Sequence, residues 1–222
     1  MPRLAATLLT LILASVTAQA PVPVRDEHHH HFKFENEYVR VFDVEVPPHD
    51  ETLYHIHSND YVFVNLANVD LQAQAFGGPI NQLPVKVGQC VFSKAPITHR
   101  VINPSETLFR NITIEILKTP PAPPGESPMD RVPGFTKVLE NDRVRVDRLV
   151  LEPGQSTGMY KQSLMNLVVA VTGGTIANQF PGEPEQTAEI KPGFFEWHSD
   201  PKEHSLKNAG NTRLEAVFIE WK

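Results

Sequence analysis

His55 and His57 stand one residue apart in the stretch Tyr54-His55-Ile56-His57-Ser58-Asn59-Asp60-Tyr61. On a β-strand, residues two apart project to the same side, so both imidazoles can enter one interior from one wall. His99 comes too late in the chain for a local metal finger but can reach the pair through strand pairing. Three neutral imidazoles make a facial set for Fe(II), Mn(II), Ni(II), Cu(II) or Zn(II), with positions left for water or substrate. Spacing alone leaves a second reading open, in which these are ordinary surface or core histidines without a metal. Tyr61 shares the parity of His57, whereas Asp60 points away unless the strand bulges. The preferred arrangement is a three-histidine centre with the Tyr61 hydroxyl beside it as a substrate or catalytic partner. Ligation by the Tyr61 phenolate or by Asp60 stays open as an alternative.

The elements that must position these residues are repeated. FENEYVRVFDVEVPP begins at Phe34 and LENDRVRVDRLVLEP at Leu139, an offset of 105 residues. The same offset carries Gly77 onto Gly182, Gly88 onto Gly193, His99 onto His204 and Asn103 onto Asn208. One spacing kept over so many positions marks a duplication. Short β-prone runs fill each copy, separated by Pro, Gly, Asn and Asp. In the first copy the best of them are Tyr38 to Val46, Tyr61 to Ala67, Leu71 to Phe76, Gln89 to Phe92 and Leu108 to Leu117. The opening strand changes its apolar parity midway, from Val39 and Val41 to Val44 and Val46, which predicts a bulge. No stretch after residue 20 keeps helical periodicity. The prediction is an all-β chain of two small barrels or sandwiches packed together, spanning 28–120 and 133–222, with a Pro-rich linker at 121–132.

GQCVFSKAPITHRVIN, from Gly88 to Asn103, resembles the second cupin motif in its opening Gly, its His and its closing Asn. Lys94 and Pro96 depart from that motif, standing where the family usually has proline and glycine. HIHSNDY resembles the ligand portion of the first motif, with Tyr61 at the position of the family's usual glutamate ligand and His49 and Asn68 at its usual glycines. The resemblance covers nearly the whole chain as a two-domain cupin, or bicupin. It implies duplicated double-stranded β-helix (jelly-roll) barrels and one transition metal ion at His55, His57 and His99. Three-histidine cupins resemble several non-haem iron dioxygenases, so Fe(II) is favoured over Mn, Ni, Cu or Zn. The implied activity is that of a metal-dependent enzyme, an oxygenase, acting with O₂ on a small organic molecule, with Tyr61 as the catalytic partner. The alternative is a non-catalytic bicupin that binds a small ligand.

The second copy changes the donors. By the constant offset His55 becomes Tyr160, His57 becomes Gln162 and Tyr61 becomes Asn166, leaving only His204. A metal barrel followed by a metal-free barrel is expected. Cys90, the single cysteine, excludes an intrachain disulfide and reads as a buried thiol. Asn103 and Asn208 read as turn caps, Trp197 and Trp221 as core. The run His28 to His31 follows a flexible-looking PVPVRDE segment and reads as an exposed tail, with metal capture as the alternative.

Residues 1–20, MPRLAATLLTLILASVTAQA, carry an early Arg, an apolar middle and small residues suited to cleavage. They read as a secretory signal, so a secreted or periplasmic location is expected, without stable membrane insertion. The net charge of −6 gives no attraction to nucleic acid or to an anionic membrane surface. A homodimer is compatible with the sequence.

Overall fold

A computed structural model describes residues 20–120 and 127–222. The expected signal, apart from residue 20, and positions 121–126 of the expected linker lie outside the described residues. The described chain is all β apart from two single-turn 3₁₀ helices, Val24–Asp26 and Met129–Arg131. The first unit contains β1 (Val22–Pro23), β2 (His30–Glu35), β3 (Val39–Val46), β4 (Asp50–Glu51), β5 (His55–His57), β6 (Tyr61–Asn65), β7 (Val69–Ala75), β8 (Ile80–Val85), β9 (Cys90–Ser93), β10 (Ile97–Asn103) and β11 (Phe109–Ile116). The second contains β12 (Phe135–Glu140), β13 (Val144–Leu151), β14 (Tyr160–Gln162), β15 (Asn166–Ala170), β16 (Gly174–Gln179), β17 (Gln186–Ile190), β18 (Phe195–His198), β19 (Lys202–Asn208) and β20 (Leu214–Trp221).

Every strand of the second unit sits 105 residues after one in the first, within a residue or so at its ends, and so do the two 3₁₀ turns. Each unit is a pair of facing sheets. In the first, β1-β5-β10-β7-β8, with β4 added beside β10, faces β2-β3-β11-β6-β9. In the second, β14-β19-β16-β17 faces β12-β13-β20-β15-β18. No helix among the described residues is long and apolar enough to cross a membrane.

The predicted bulge in the opening strand is absent: β3 pairs with β11 in unbroken register from Val39 to Val46. The shifts fall on the flanking strands instead, between Phe32 and Phe34 and between Lys137 and Leu139. The change of parity has a different cause, which is burial on both faces. Phe42, Val44 and Val46 point into the first barrel, while Val39 and Val41 point into an apolar core that both units share. That shared core joins Val62, Ile112 and Ile114 of one unit to Val146, Ile219 and Trp221 of the other. Trp197 packs on Trp221 edge to face at 4.9 Å and lies parallel to Tyr38 of the first unit at 6.1 Å.

The interface is built twice. Arg110 holds Asp43 through two hydrogen bonds of 2.8 and 2.9 Å, and at the offset positions Glu215 pairs with Arg148, with the charges exchanged. Gly88 lies against Arg148 and Glu215, and Gly193 against Arg110, where an added Cβ would fall 2.6 Å from a guanidinium nitrogen. Both glycines have positive φ, 75° and 83°, so backbone and packing each exclude a side chain there. Arg143 also crosses the interface to Asp60 at 3.1 Å.

Trp221 is fully buried in the shared core. Trp221→Ala is expected to cost about 3–5 kcal/mol and to move one common urea transition of both barrels. Two separate transitions, only one of them shifted, would contradict a shared core.

Candidate metal centre

β5 and β10 run antiparallel with His55 directly opposite His99. Strand alternation then puts His57 on the same face as His55, and both are 1% exposed. Ring centroids are 5.0 Å apart for His55 and His57, 4.6 Å for His55 and His99, and 5.4 Å for His57 and His99. The structure brings the three sequence-derived rings within 5.4 Å of one another inside the first barrel, but the set whose ligand atoms all lie within 4.8 Å of one another does not include His99.

It also brings a fourth. The His28 to His31 run is not a tail as expected: His29 and His30 are buried, and His30 opens β2 in the facing sheet. The His30 ring lies 4.5 Å from His55 and 5.8 Å from His57. One ligand atom from each of His30, His55 and His57 falls within 4.8 Å of the other two. Metal–nitrogen bonds of about 2.1 Å require separations of roughly 3 to 4 Å, so the widest gap in the trio needs to close by roughly 1 to 2 Å. His99 stands beside this trio, opposite His55.

Hydrogen bonding decides which nitrogen is free in two of the rings, His55 and His30. His55 Nδ1 donates to Leu53 O at 2.9 Å, leaving Nε2 buried without a partner. His30 Nδ1 donates to Glu27 Oε2 at 2.5 Å. His57 Nδ1 faces Glu115 Oε1 at 3.9 Å, and neither atom has another partner. His99 Nε2 is likewise buried and unpartnered. Buried polar atoms almost always find partners, so several orphans around one point call for a shared one. Outer hydrogen bonds that fix a ring's tautomer are the usual support of a metal-ligating imidazole. The donor set fits a first-row transition metal.

Electrostatics agree with that fit. Burial, followed by the neighbouring imidazoles, pushes the pKa of His55 far down and that of His99 down to about 3. His30 is lowered as well, burial outweighing the Glu27 carboxylate. Neutral rings keep their lone pairs available for an ion. Burial opposes ionisation of Glu115, but the nearby His57 ring and the 2.8 Å hydrogen bond from Arg40 outweigh it and its pKa is lowered. Glu27 follows the same balance, with His30 and the Leu53 N–H as its donors.

Tyr61 stacks on His57 at 4.1 Å and lines the cavity. Burial raises its pKa against a smaller opposing hydrogen bond with Ser93, so the phenol stays protonated. Asp60 faces elsewhere, accepting from Ala95 N and from Arg143. The cavity measures about 70 Å³, and Leu71, Val85, Val101 and Phe109 form much of its wall.

The second barrel turns the equivalent residues on one another. The Tyr160 hydroxyl bonds His204 Nε2 at 3.0 Å, and Gln162 donates to Glu220 at 2.7 Å. Phe135 occupies the position of His30 and packs on Tyr160. Burial raises the pKa of Glu220, outweighing the hydrogen bond from Gln162, in the direction opposite to Glu115. Cys90 packs against the shared core, and burial pushes its thiol up to about 12. Asn103 and Asn208 tie their turns through backbone carbonyls.

No protein-family model matches this chain, and no curated protein matches it. Solved structures do. AerE from Microcystis aeruginosa superposes with a TM-score of 0.60 at 12% identity, over 91% of this chain and 98% of that one. A cupin 2 conserved barrel domain protein from Leptotrichia buccalis gives 0.54 at 10% identity, over 95% and 100%. The fold is a double cupin. Salicylate 1,2-dioxygenase from Pseudoaminobacter salicylatoxidans, solved with gentisate, shares this cupin fold with a TM-score of 0.58 at 12% identity, over 83% and 68%.

The lowered pKa of His99 has a measurable effect on the metal-free protein. The unfolded chain takes up this proton near the ordinary pKa of 6.5, whereas the folded chain resists until about 3. Stability from this group is complete above the first value and declines as pH falls toward the second. Urea midpoints of metal-free protein are expected to drop over that window, less steeply in His99→Gln. Equal slopes would contradict a neutral His99 held in the barrel interior.

Proposed function

We propose that this chain is an exported, metal-dependent cupin enzyme of dioxygenase type. It holds one Fe(II) ion through His30, His55, His57 and His99 and acts with O₂ on a small organic molecule. The observation that carries this reading is the convergence of four imidazoles in one interior, with the outer nitrogens of His30 and His55 hydrogen-bonded and Nε2 of His55 and His99 buried without a partner. Likeness of fold to salicylate 1,2-dioxygenase supports oxygen chemistry.

When bound, the ion supplies Lewis acidity and one-electron redox chemistry toward O₂. The chain supplies the rest. Glu27 and Glu115 orient His30 and His57 and place negative charge just outside the ligand shell. His30 enters from the facing sheet and gives the nitrogen donor that compensates for Tyr61 at the position of a carboxylate. Tyr61, protonated and against His57, can donate a hydrogen bond to an oxygen atom of the substrate. The walls are largely apolar, and about 70 Å³ leaves room for about two or three water-sized groups. Thr52 and Asn111 add little polarity, since Thr52 Oγ1 accepts from Val101 N and Asn111 Oδ1 from Thr113. A compact substrate with one or two oxygen atoms suits this space.

Elemental analysis of untagged protein from its native compartment should find about one transition metal per chain, iron foremost. His30→Ala and His99→Ala should each lose most of it while remaining folded. Glu27→Gln should weaken metal affinity about 10- to 100-fold. Metal-free native protein, or variants that retain full affinity, would sink the metal centre. In iron-loaded protein, Tyr61→Phe should keep the metal but slow O₂ uptake with a turned-over substrate about 100-fold. Iron-loaded protein that consumes no O₂ across a screen of small organic molecules would instead support a binding role.

A further inference from the structure

The second barrel also encloses a cavity, of about 120 Å³. Leu149, Ile176, Ile190 and Leu206 line it at the offset positions of Val44, Leu71, Val85 and Val101 around the metal centre. It is the same interior with its chemistry replaced. Tyr160 engages the nitrogen of His204 that a metal would need, and Ala216 and Phe218 replace the polar Asn111 and Thr113. The lost ligands have left an enlarged apolar space that is still reachable, since Phe194 on its lining is 47% exposed.

Polarity survives in a few places. Asn178 Oδ1 is buried without a hydrogen-bond partner, and Asn178 lines the cavity. Glu196 and His198, 3.8 Å apart, add a charged edge. No Lys or Arg side chain lines the space, and Lys202 is turned outward over Phe180. We propose that this cavity is a second, metal-independent binding site for an uncharged, hydroxyl-bearing six-membered ring, with phenol as its simplest form. Size limits the occupant to a single ring: a closed cavity of roughly 150 Å³ with aliphatic and aromatic walls holds benzene, and this one, about 120 Å³ and open at Phe194, takes a ring with one edge toward the opening or with a small adjustment of the walls. The hydroxyl follows from Asn178, because an –OH both donates and accepts and so satisfies the side-chain amide in either orientation. The absence of a lining cation, with Glu196 at the edge, disfavours a carboxylate on the ring.

The test titrates phenol, benzene and benzoate into the full chain, following backbone amide shifts by NMR. Phenol should give saturable shifts centred on β16 and β19, with an affinity about tenfold above that of benzene, the value of one hydrogen bond, and benzoate should bind most weakly. Asn178→Leu should bring phenol down to the level of benzene while benzene still binds. Ala170→Leu, which fills the cavity, should abolish both, with a dispersed spectrum showing that the chain is folded. No saturable phenol binding at millimolar concentration would overturn the proposal. So would equal affinity for phenol and benzene, tightest binding of benzoate, shifts confined to the first barrel, or unchanged phenol affinity in Asn178→Leu.

Discussion

Four imidazoles share the interior of one small barrel, and they cannot all be charged there. Apolar walls penalise each cation, and the rings repel one another once protonated. The fold meets this constraint by burying His30, His55 and His99 so that the neutral ring is favoured, and by giving outer nitrogens partners at two of them, a backbone carbonyl for His55 and a carboxylate for His30. The inner nitrogens then have nothing to bind but an ion or water. Pairing of β5 with β10, closure of β2 over the opposite side and burial of Glu27 and Glu115 all serve that arrangement.

The second barrel shows what the same scaffold does when the constraint is lifted. Glu27, His30, His55 and His57 give way to Val132, Phe135, Tyr160 and Gln162 at the constant offset, while Glu115 persists as Glu220. Without an imidazole to hold, that glutamate changes from an ionised support into a group whose burial favours protonation and whose partner is an amide. Loss of the imidazoles therefore leaves the main strands in place, and a larger interior follows.

Much of this was legible in the sequence. The 105-residue repeat gives the paired barrels, and the spacing around His55, His57 and His99 gives the face they share. His30 was not legible because a run of four histidines has no periodicity to separate one inward ring from its neighbours, and short flanking strands such as β1 leave little pattern. A cue existed in Tyr61 at a ligand position, which leaves a donor missing, with surplus imidazoles upstream. The repeat also extends that far, since Val24–Asp26 matches Met129–Arg131. β8 escaped notice because Pro84 interrupts it; β8 pairs with β7 alone, and an edge strand tolerates the missing N–H. The parity change in β3 looked like a bulge because a single sequence does not reveal that both faces of a strand are covered.

Asp43 and Arg110 lie on strands 67 residues apart in the chain, and their counterparts Arg148 and Glu215 carry the opposite signs. Recombination between the two halves of the gene that copied only one of these strands would set Asp beside Glu or Arg beside Arg at the seam. The inverted pairs thus act as a barrier to homogenisation, under which one half could keep its ligands while the other drifted away from them.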